Sequence, residues 1–454
     1  MDKVINPISK LRATIKVPGD IAISHRAAFL GAICRETVQL ENFATGHECM
    51  TTLECLSRLG LEWELDGTTL TIHGKGIEGL KQPEGPLNVE KSSPTARMIC
   101  GILAASNFES ELICGEEICS LPMRRIIEPL EKMGAIIESA NYRMPLKIKG
   151  ARLRGIRYAM PVSSSQVKGA LLMAGLLAEG QTEIIERIPS RDHLERLLAY
   201  YGIRIKKSRF EPKPSEEDPL IKRFKRETGN VSPDIKGDMY AIQGGQNISP
   251  KPLKIPGDVS SAAYFIIAGL LVKDAVVRVE NVNLNPTRLG FADVLEKMRA
   301  PIALEQKGEF GFEPYGVIEI RSAQIKGRRM VGELIPSIID ELPIMSIVAA
   351  AAQGTSVIRD AYELRNQKVD RIKSIAGNLR KMGVKVGELD DGMAIDGVTS
   401  LEGAEIDTFG DYGIAMAFAI AGLIANGQTI IKDAECVDAI YPGFWDQLER
   451  VTAG

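Results

Sequence analysis

The chain has 454 residues, of which 44% are hydrophobic and 25% charged, and its net charge is −3. This length predicts two or three domains of ordinary globular composition. The nearly balanced charge gives no indication of nucleic acid binding or of an acidic interaction tail. We expect a cytoplasmic protein without a nucleic acid partner.

Neither export nor membrane insertion is indicated by the sequence. The segment before Asp20 has no apolar signal core. Long apolar stretches such as residues 345–352 and 414–425 are well short of the roughly 20 residues of a membrane helix. Both are rich in alanine or glycine, which favours closely packed core helices. No membrane partner is expected, and we predict a monomer or a weak dimer.

One sequence pattern recurs along the chain: an amphipathic helix, a glycine in most copies, an alternating strand, a turn and a second strand. A glycine just after a helix favours a left-handed residue that turns the chain into the strand. Asp-Gly pairs at 66–67 and 391–392 indicate hairpins. A sixth helix end lies near the C-terminus, and residues 6–17 are predicted to supply the strand that completes this copy. The other copies begin near residues 55, 129, 197, 294 and 378.

Six units at a spacing of about 75 residues divide naturally into two domains of three. We predict a first domain at 20–245 and a second domain formed by 1–19 and 246–454. Residues 207–238 interrupt the third copy with a charged, proline-containing segment. This segment is predicted to be a surface insertion on a hairpin, and the alternatives are a flap over a site or a partner-binding arm.

Each unit contains a second helix whose start is marked by Ser, Thr or Asp, the residues that cap free N–H groups. Helix N-termini carry partial positive charge and bind anions. If these starts converge on a cleft between the domains, they form a site for a small anionic or polyhydroxylated substrate. They lie at residues 18–27, 92–97, 163–172, 256–265, 336–343 and 411–418.

Other residue types of chemical interest form weaker patterns. The seven cysteines are odd in number and lack CxxC spacing, so we predict reduced thiols and no metal site. The alternative is that Cys114 and Cys119 bind a metal ion as a pair, but no histidine is close to them in sequence. Lys168 follows Ser165 by three residues, a spacing that also occurs in some serine hydrolases. A serine hydrolase is the less favoured interpretation here. His25 is predicted to be structural. No dinucleotide or Walker motif is present, so no cofactor is expected.

At the marked helix starts the sequence resembles the EPSP synthase (3-phosphoshikimate 1-carboxyvinyltransferase) family of enolpyruvyl transferases. The resemblance implies an α/β fold, a two-domain inside-out α/β barrel in which each domain has three βαβαββ-type repeats. The family reaction joins phosphoenolpyruvate to a hydroxyl of shikimate 3-phosphate and then eliminates phosphate. The most specific stretches are PGDIAISHRA at 18–27, PVSSSQVKGALLMAGLLAEG at 161–180, PGDVSSAAYF at 256–265 and GELIPSIIDELP at 332–343.

Several positions depart from the motifs of that family, and most departures remove a cation or a glycine. Losing one charged hydrogen-bonded contact costs on the order of 2–5 kcal/mol of binding. Nearly all the cations that the family uses for phosphoenolpyruvate are therefore missing. In chain order the replacements are Ile21 for Lys, Glu90 and Ser93 for Gly, Gln367 for Lys, Lys368 for Glu, Tyr412 for His, Gly413 for Arg and Ala439 for Lys.

The resemblance does imply that the half of the site for the phosphorylated acceptor is kept. Arg97 and Arg371 also match cations of the family, and Lys91 and Lys368 restore positive charge at other positions. The residues that match ligands of phosphoshikimate are Arg26, Ser164, Ser165, Gln166 and Asp340.

Three functions remain open at this point. The favoured one is a repurposed enzyme that performs elimination, isomerisation or cyclisation of a small polar ring compound in the inter-domain cleft, without phosphoenolpyruvate. Asp340 is then the expected proton-transferring group, and Lys368 is a base or an anion anchor. Alternatively, Asp340 only caps a helix and Lys368 lies on a solvated face. The other two functions are an authentic divergent synthase and a non-catalytic homologue that binds a metabolite or a protein.

Overall fold

The computed structural model describes residues 1–211, 236–367 and 369–453. Lys368 and most of the predicted insertion at 207–238 therefore lie outside the described residues. The chain divides into two compact units, and residues 42–47 belong with the C-terminal part of the chain, where Asn42 Nδ2 donates to the carbonyl of Ile255 at 2.9 Å. Unit 1 comprises Met1–Ile21, Asn42–His47 and Ile255–Gly454, and unit 2 comprises Ala22–Glu41 and Glu48–Lys254.

The described residues of unit 2 form three four-stranded sheets that share one pairing pattern, with one parallel pair followed by two antiparallel pairs. Their strands alternate between buried apolar and exposed polar residues, as in Thr37–Glu41, so one face of each sheet covers the core. In spatial order the sheets are Leu253–Lys254, Thr37–Glu41, Thr69–His73 and Glu62–Asp66; Leu87–Asn88, Glu109–Ile113, Leu146–Lys149 and Ile136–Ser139; and Arg157–Ala159, Gln181–Glu186, Gly237–Gln243 and Ile205–Phe210.

Unit 1 repeats this pairing pattern in two four-stranded sheets and adds two smaller sheets. The N-terminal segment contributes a strand to the three-stranded sheet and another to a four-stranded sheet. Lys3–Ile5 pairs with Thr429–Ile431, and Arg12–Ile15 pairs with Val276–Asn283. The prediction that residues 6–17 complete the C-terminal copy is therefore wrong, and Lys3–Ile5 has that role. In spatial order the sheets are Ile302–Phe310, Glu313–Arg321, Val276–Asn283 and Arg12–Ile15; Arg329–Met330, Thr355–Ile358, Gly392–Asp396 and Lys385–Leu389; Lys3–Ile5, Thr429–Ile431 and Glu405–Ile406; and Leu401–Glu402 with Ala425–Asn426.

Three helices form the centre of unit 1, namely Val259–Leu271, Leu342–Ala351 and Tyr412–Gly422. They are apolar on nearly every side and pack against one another, as expected for helices without a solvent face. Asp258 and Asp411 cap two of them, whereas Leu342–Ala351 has no side-chain cap. The other helices and 3₁₀ turns of this unit are Pro286–Arg288, Gly290–Lys297, Gly332–Leu334, Ile335–Ile338, Tyr362–Asn366, Arg371–Lys381, Ala434–Ala439 and Phe444–Thr452.

The corresponding buried helices of unit 2 are Ile21–Ile33, Ser93–Leu103 and Ser165–Leu177. Ser92 caps the second through the N–H of Thr95 at 3.3 Å, and Ser164 caps the third through the N–H of Val167 at 3.4 Å. These caps are where the sequence predicts them. The remaining helices and turns among the described residues of this unit are His47–Arg58, Ile77–Gly79, Glu116–Cys119, Arg124–Met133 and His193–Tyr200.

No single helix among the described residues is both long and apolar enough to cross a membrane. Gly332–Ile338 and Leu342–Ala351 meet the length and composition criteria only when taken as a pair, and the pair is bent by 113°.

A disulfide joins Cys114 to Cys119 in unit 2. The prediction that all thiols are reduced is therefore wrong for this pair. The single turn of helix at Glu116–Cys119 folds the chain back, so the two Cα atoms lie 6.0 Å apart, within the range that a disulfide spans. The other five cysteines are not part of a disulfide.

Candidate functional site

The predicted acceptor residues of unit 2 lie together at the start of helix Ser165–Leu177. Arg26 is buried and donates from Nη2 to the carbonyl of Ser165 at 3.1 Å and from Nη1 to the carbonyl of Ala22 at 2.7 Å. Arg97 donates from Nη1 to Gln166 Oε1 at 2.6 Å. Two guanidinium groups thus hold a half-buried helix start that carries the side chains of Ser164, Ser165 and Gln166. We call Arg26, Arg97, Ser164, Ser165 and Gln166 the unit 2 cluster.

A buried ion triad lies one turn further along the same helix. Lys168 Nζ is 2.7 Å from Glu186 and 2.6 Å from Glu195, and it lies 4.5 Å from the ring centre of Tyr240. Burial raises the pKa of Glu195 despite the nearby lysine, while the two carboxylates outweigh burial and raise the pKa of Lys168. The triad ties the helix start to strand Gln181–Glu186 and helix His193–Tyr200. The sequence indicated Lys168 but not its carboxylate partners.

A second buried group behind the unit 2 cluster is uncharged. His25 Nδ1 lies 2.7 Å from Thr52 Oγ1, which lies 2.6 Å from Thr95 Oγ1, and this in turn lies 2.7 Å from Ser92 Oγ. All four side chains are buried. Burial, and then the charge of Arg26, lowers the pKa of His25 to about 3. The imidazole is therefore neutral at physiological pH and serves as a structural hydrogen-bonding group.

The loop before helix Ser93–Leu103 differs from the glycine loop that the resemblance suggested. Glu90 has a φ of 46°, in the left-handed region that glycine adopts more easily, and its carbonyl accepts from the N–H of Gly115 at 2.8 Å. The backbone conformation of a glycine is thus kept although the residue has a side chain. Lys91, a predicted binding residue, follows in the same turn and is exposed.

A buried polar cluster in unit 1 is organised around Arg288. This side chain donates from Nη1 to Asp20 at 3.1 Å and from Nη2 to Ser260 Oγ at 2.6 Å, and its Nη2 lies 3.9 Å from Asp258. Ser260 donates in turn to Glu341. Burial lowers the pKa of Arg288, but the surrounding carboxylates outweigh it and raise the pKa, so the guanidinium stays charged. Neither Arg288 nor Glu341 was among the predicted site residues, although Glu341 lies in the stretch at 332–343 that carries the resemblance.

Arg371, the second buried cation of unit 1, forms a paired contact with Asp411. Its Nε and Nη2 donate to the two oxygens of that carboxylate at 2.8 and 3.1 Å. A Cβ atom at Gly413 would lie 3.2 Å from Nη2 and 3.1 Å from Asp411 Oδ1, so the ion pair occupies the space beside this residue. Burial lowers the pKa of Arg371, but the surrounding acidic groups, Asp411 first among them, outweigh it and raise the pKa.

Asp340, the predicted proton-transferring residue, lies half-buried in the turn between helices Ile335–Ile338 and Leu342–Ala351. Its carboxylate is near enough to both arginines to contribute to the raised pKa of Arg288 and that of Arg371. Asp340 thus belongs to the polar cluster of unit 1. We call the following residues the unit 1 cluster: Asp20, Asp258, Ser260, Arg288, Asp340, Glu341, Arg371 and Asp411.

Lys368, the other predicted catalytic residue, lies outside the described residues. Close to it in sequence, Asp370 caps helix Arg371–Lys381 through the N–H of Lys373 at 3.0 Å and accepts from Arg365 at 2.7 Å. Within the described parts of the chain, no three His, Cys, Asp or Glu side chains are arranged to hold a metal ion.

The chain is similar to proteins of one family over its whole length. The family model for EPSP synthase (3-phosphoshikimate 1-carboxyvinyltransferase) matches residues 5–225 and 212–448. A 3-phosphoshikimate 1-carboxyvinyltransferase of Bacillus thuringiensis subsp. konkukian is 38% identical over 453 residues, covering 99% of each chain. One of Bacillus cytotoxicus is 39% identical over 441 residues, covering 96% of this chain and 97% of that one.

Solved structures give the same result for the fold. The EPSP synthase of Acinetobacter baumannii superposes with a TM-score of 0.82 at 33% identity, covering 99% of this chain and 98% of that one. The enolpyruvyl transferase NikO of Streptomyces tendae superposes with a TM-score of 0.73 at 15% identity, covering 99% and 96%. The predicted inside-out α/β fold is confirmed. The chain belongs to the EPSP synthase (3-phosphoshikimate 1-carboxyvinyltransferase) family of enolpyruvyl transferases.

Proposed function

We propose that this member of the family is an enzyme that performs acid/base chemistry on a small polar ring compound without phosphoenolpyruvate. Elimination, isomerisation or cyclisation of an anionic or polyhydroxylated substrate is the expected reaction class. The observation that carries the proposal is the state of the two buried arginines of unit 1. Both Arg288 and Arg371 are already paired with carboxylates of their own cluster.

The unit 2 cluster supports the substrate class. Arg26 and Arg97 supply positive charge, and the hydroxyls of Ser164 and Ser165 supply groups that donate to and accept from ring hydroxyls. The caps and the Lys168 triad hold this helix start in place, so its polar groups are ordered before a ligand arrives. A phosphate or carboxylate on a hydroxylated ring suits such a set of groups.

The unit 1 cluster argues against a second, highly charged substrate. Its described side chains include five carboxylates, those of Asp20, Asp258, Asp340, Glu341 and Asp411, but only two guanidinium groups. Like charges repel strongly where the effective dielectric constant is low. The cluster therefore opposes the binding of a phosphoenolpyruvate anion.

Asp340 is the proposed proton-transferring group. A carboxylate can accept a proton from a substrate carbon or hydroxyl and return it to a leaving group. Asp340 lies half-buried in a turn and close to both arginines, so it combines partial exposure with a charged environment. Lys368 is proposed as an additional base or anion anchor.

A binding and turnover experiment tests the proposal. We expect calorimetry to detect binding of shikimate 3-phosphate but not of phosphoenolpyruvate, and proton and phosphorus NMR to show conversion of shikimate 3-phosphate incubated alone. Asp340→Asn should abolish this conversion and leave binding within about twofold of wild type. Asp293→Asn, which changes an exposed carboxylate of helix Gly290–Lys297, is the matched control and should behave as wild type.

The alternative of an authentic divergent synthase is favoured by the 38% identity to the named synthase of Bacillus thuringiensis. Under that alternative, phosphate is released when shikimate 3-phosphate and phosphoenolpyruvate are supplied together, and this result would overturn our proposal. Binding of neither compound would instead favour a non-catalytic homologue. Full activity of Asp340→Asn would remove Asp340 from the mechanism.

A further inference from the structure

One sheet of unit 1 has an open edge at strand Arg12–Ile15. Among the residues that the structure describes, this strand pairs only with Val276–Asn283, in parallel register. The carbonyl of Leu11 accepts from the N–H of Val276 at 2.8 Å, so the backbone groups of residues 11, 13 and 15 face that partner. Those of residues 12, 14 and 16 face the other way, toward the open edge.

A contact of Gln447 independently shows that the backbone carbonyl of Lys16 faces the open edge. Its Nε2 donates to the carbonyl of Lys16 at 3.0 Å, which is the contact that the N–H of a further strand would make. Gln447 lies on helix Phe444–Thr452, which runs beside the strand. The remaining outward backbone groups, on Arg12 and Thr14, have no strand to pair with in the described part of the chain. Such an edge is a template for an added strand.

A groove of about 540 Å³ runs along this edge. One wall is the strand itself, residues 12–16, and the other is the helix face that carries Gln447, Arg450 and Val451. Five residues of an extended peptide span about 16 Å, which matches the length of the strand wall because both are extended chains. The groove therefore has the shape of a strand site.

The charge of the groove selects the kind of peptide. Arg12, Lys16 and Arg450 are exposed cations along it, and the single carboxylate in its lining, Glu280, already pairs with Arg278 at 3.3 Å. The lining thus has a positive surplus that attracts anionic side chains. An acidic peptide complements it, whereas a basic peptide is repelled.

We infer that this groove binds an acidic segment of a partner protein in extended conformation, added as a strand to the edge at Arg12–Ile15. The outward N–H groups of Arg12 and Thr14 donate to carbonyls of the added strand, and its carboxylates alternate along the face that carries the cations. This function is separate from the chemistry of the unit 1 and unit 2 clusters, since none of their residues lines the groove.

Fluorescence anisotropy with a labelled alternating Glu-Val peptide of about eight residues tests the charge argument. We expect saturable binding to the full chain that weakens as salt is added. The combined change Arg12→Glu, Lys16→Glu and Arg450→Glu should weaken binding at least about tenfold. Lys297→Glu, which reverses an exposed lysine of the same unit outside the groove, should bind as wild type. An alternating Lys-Val peptide should not bind.

Hydrogen–deuterium exchange tests strand addition. The Glu-Val peptide should slow exchange in the fragment that contains Arg12–Lys16, and Thr14→Pro should abolish this protection. Proline removes the N–H that faces the groove, while residues 13 and 15 keep their bonds to Val276–Asn283, so the fold is retained. Absence of binding, or equal binding by the triple variant, would overturn the inference. Sedimentation that shows self-association lost in Thr14→Pro would also overturn it, in favour of a second copy as occupant.

Discussion

Breaking the ion pair between Arg371 and Asp411 is the most direct quantitative test of the unit 1 cluster. Both side chains are about 4% exposed and share two hydrogen bonds. Asp411 also caps helix Tyr412–Gly422 through the N–H of Ile414 at 3.0 Å. Removing one partner of a buried pair costs about 3–5 kcal/mol, because the other charge stays in a medium of low dielectric constant. We therefore expect Arg371→Met to lower the free energy of unfolding by that amount.

Equilibrium unfolding in urea at neutral pH measures this effect. Asp411→Asn keeps a capping side chain, so its loss of stability reports mainly on the removed charge. The double variant should be more stable than the sum of the two single changes predicts, by about 0.5–3 kcal/mol, since neither charge then remains alone.

An exposed pair in the same unit provides the control. Lys381 and Asp407 lie 2.6 Å apart but are 42% and 49% exposed, so Lys381→Met should cost less than about 1 kcal/mol. If Arg371→Met costs no more than this control, the pair is solvated and available to an anionic ligand, contrary to our expectation.

Four further changes test other parts of the structure. Lys168→Met should lower the free energy of unfolding by about 3–5 kcal/mol at neutral pH, since two buried carboxylates lose their cation. Because the pKa of Glu195 is raised in the folded state, its protonated form stabilises the fold below pH 4.5. This contribution is lost as the pH rises through the folded-state pKa. In Glu195→Gln this part of the pH dependence of Tm should disappear. Glu90→Gly should stabilise by up to about 1 kcal/mol by relieving the positive φ, unlike Glu90→Ala. Cys119→Ser should cost about 2 kcal/mol by opening the short loop to Cys114, and reductant should lower the Tm of the wild type but not of the variant. An unchanged transition in any of these variants would contradict the contact concerned.

The local parts of both clusters could be predicted from the sequence. Ser164 and Asp411 stand directly before apolar helices, and each caps its helix as the capping rule predicts. The resemblance named Arg26, Arg97 and Gln166, and the structure places all three at one helix start. These predictions depend on residues close in sequence or on motifs with fixed spacing.

The charge partners could not be predicted in the same way. Arg288 meets Asp20 across 268 residues of chain, and Arg371 meets Asp411 across 40. No periodic pattern connects such positions, because their proximity arises from the packing of separate helices and sheets. The disulfide was missed for a different reason: a single turn of helix brings Cys114 and Cys119 together at a spacing that belongs to no common motif.

These long-range pairs bear directly on the chemistry. A matching motif suggests that Arg371 awaits an anion, but its guanidinium already donates twice to Asp411. A phosphate that displaced this carboxylate would break the buried pair at a cost of about 3–5 kcal/mol, which corresponds to a loss of affinity between about a hundredfold and a few thousandfold. The cations that would offset this cost are replaced at Ile21, Gln367 and Gly413. The balance of charges in unit 1 therefore favours a carboxylate acting on a bound ring compound over the capture of a second anion.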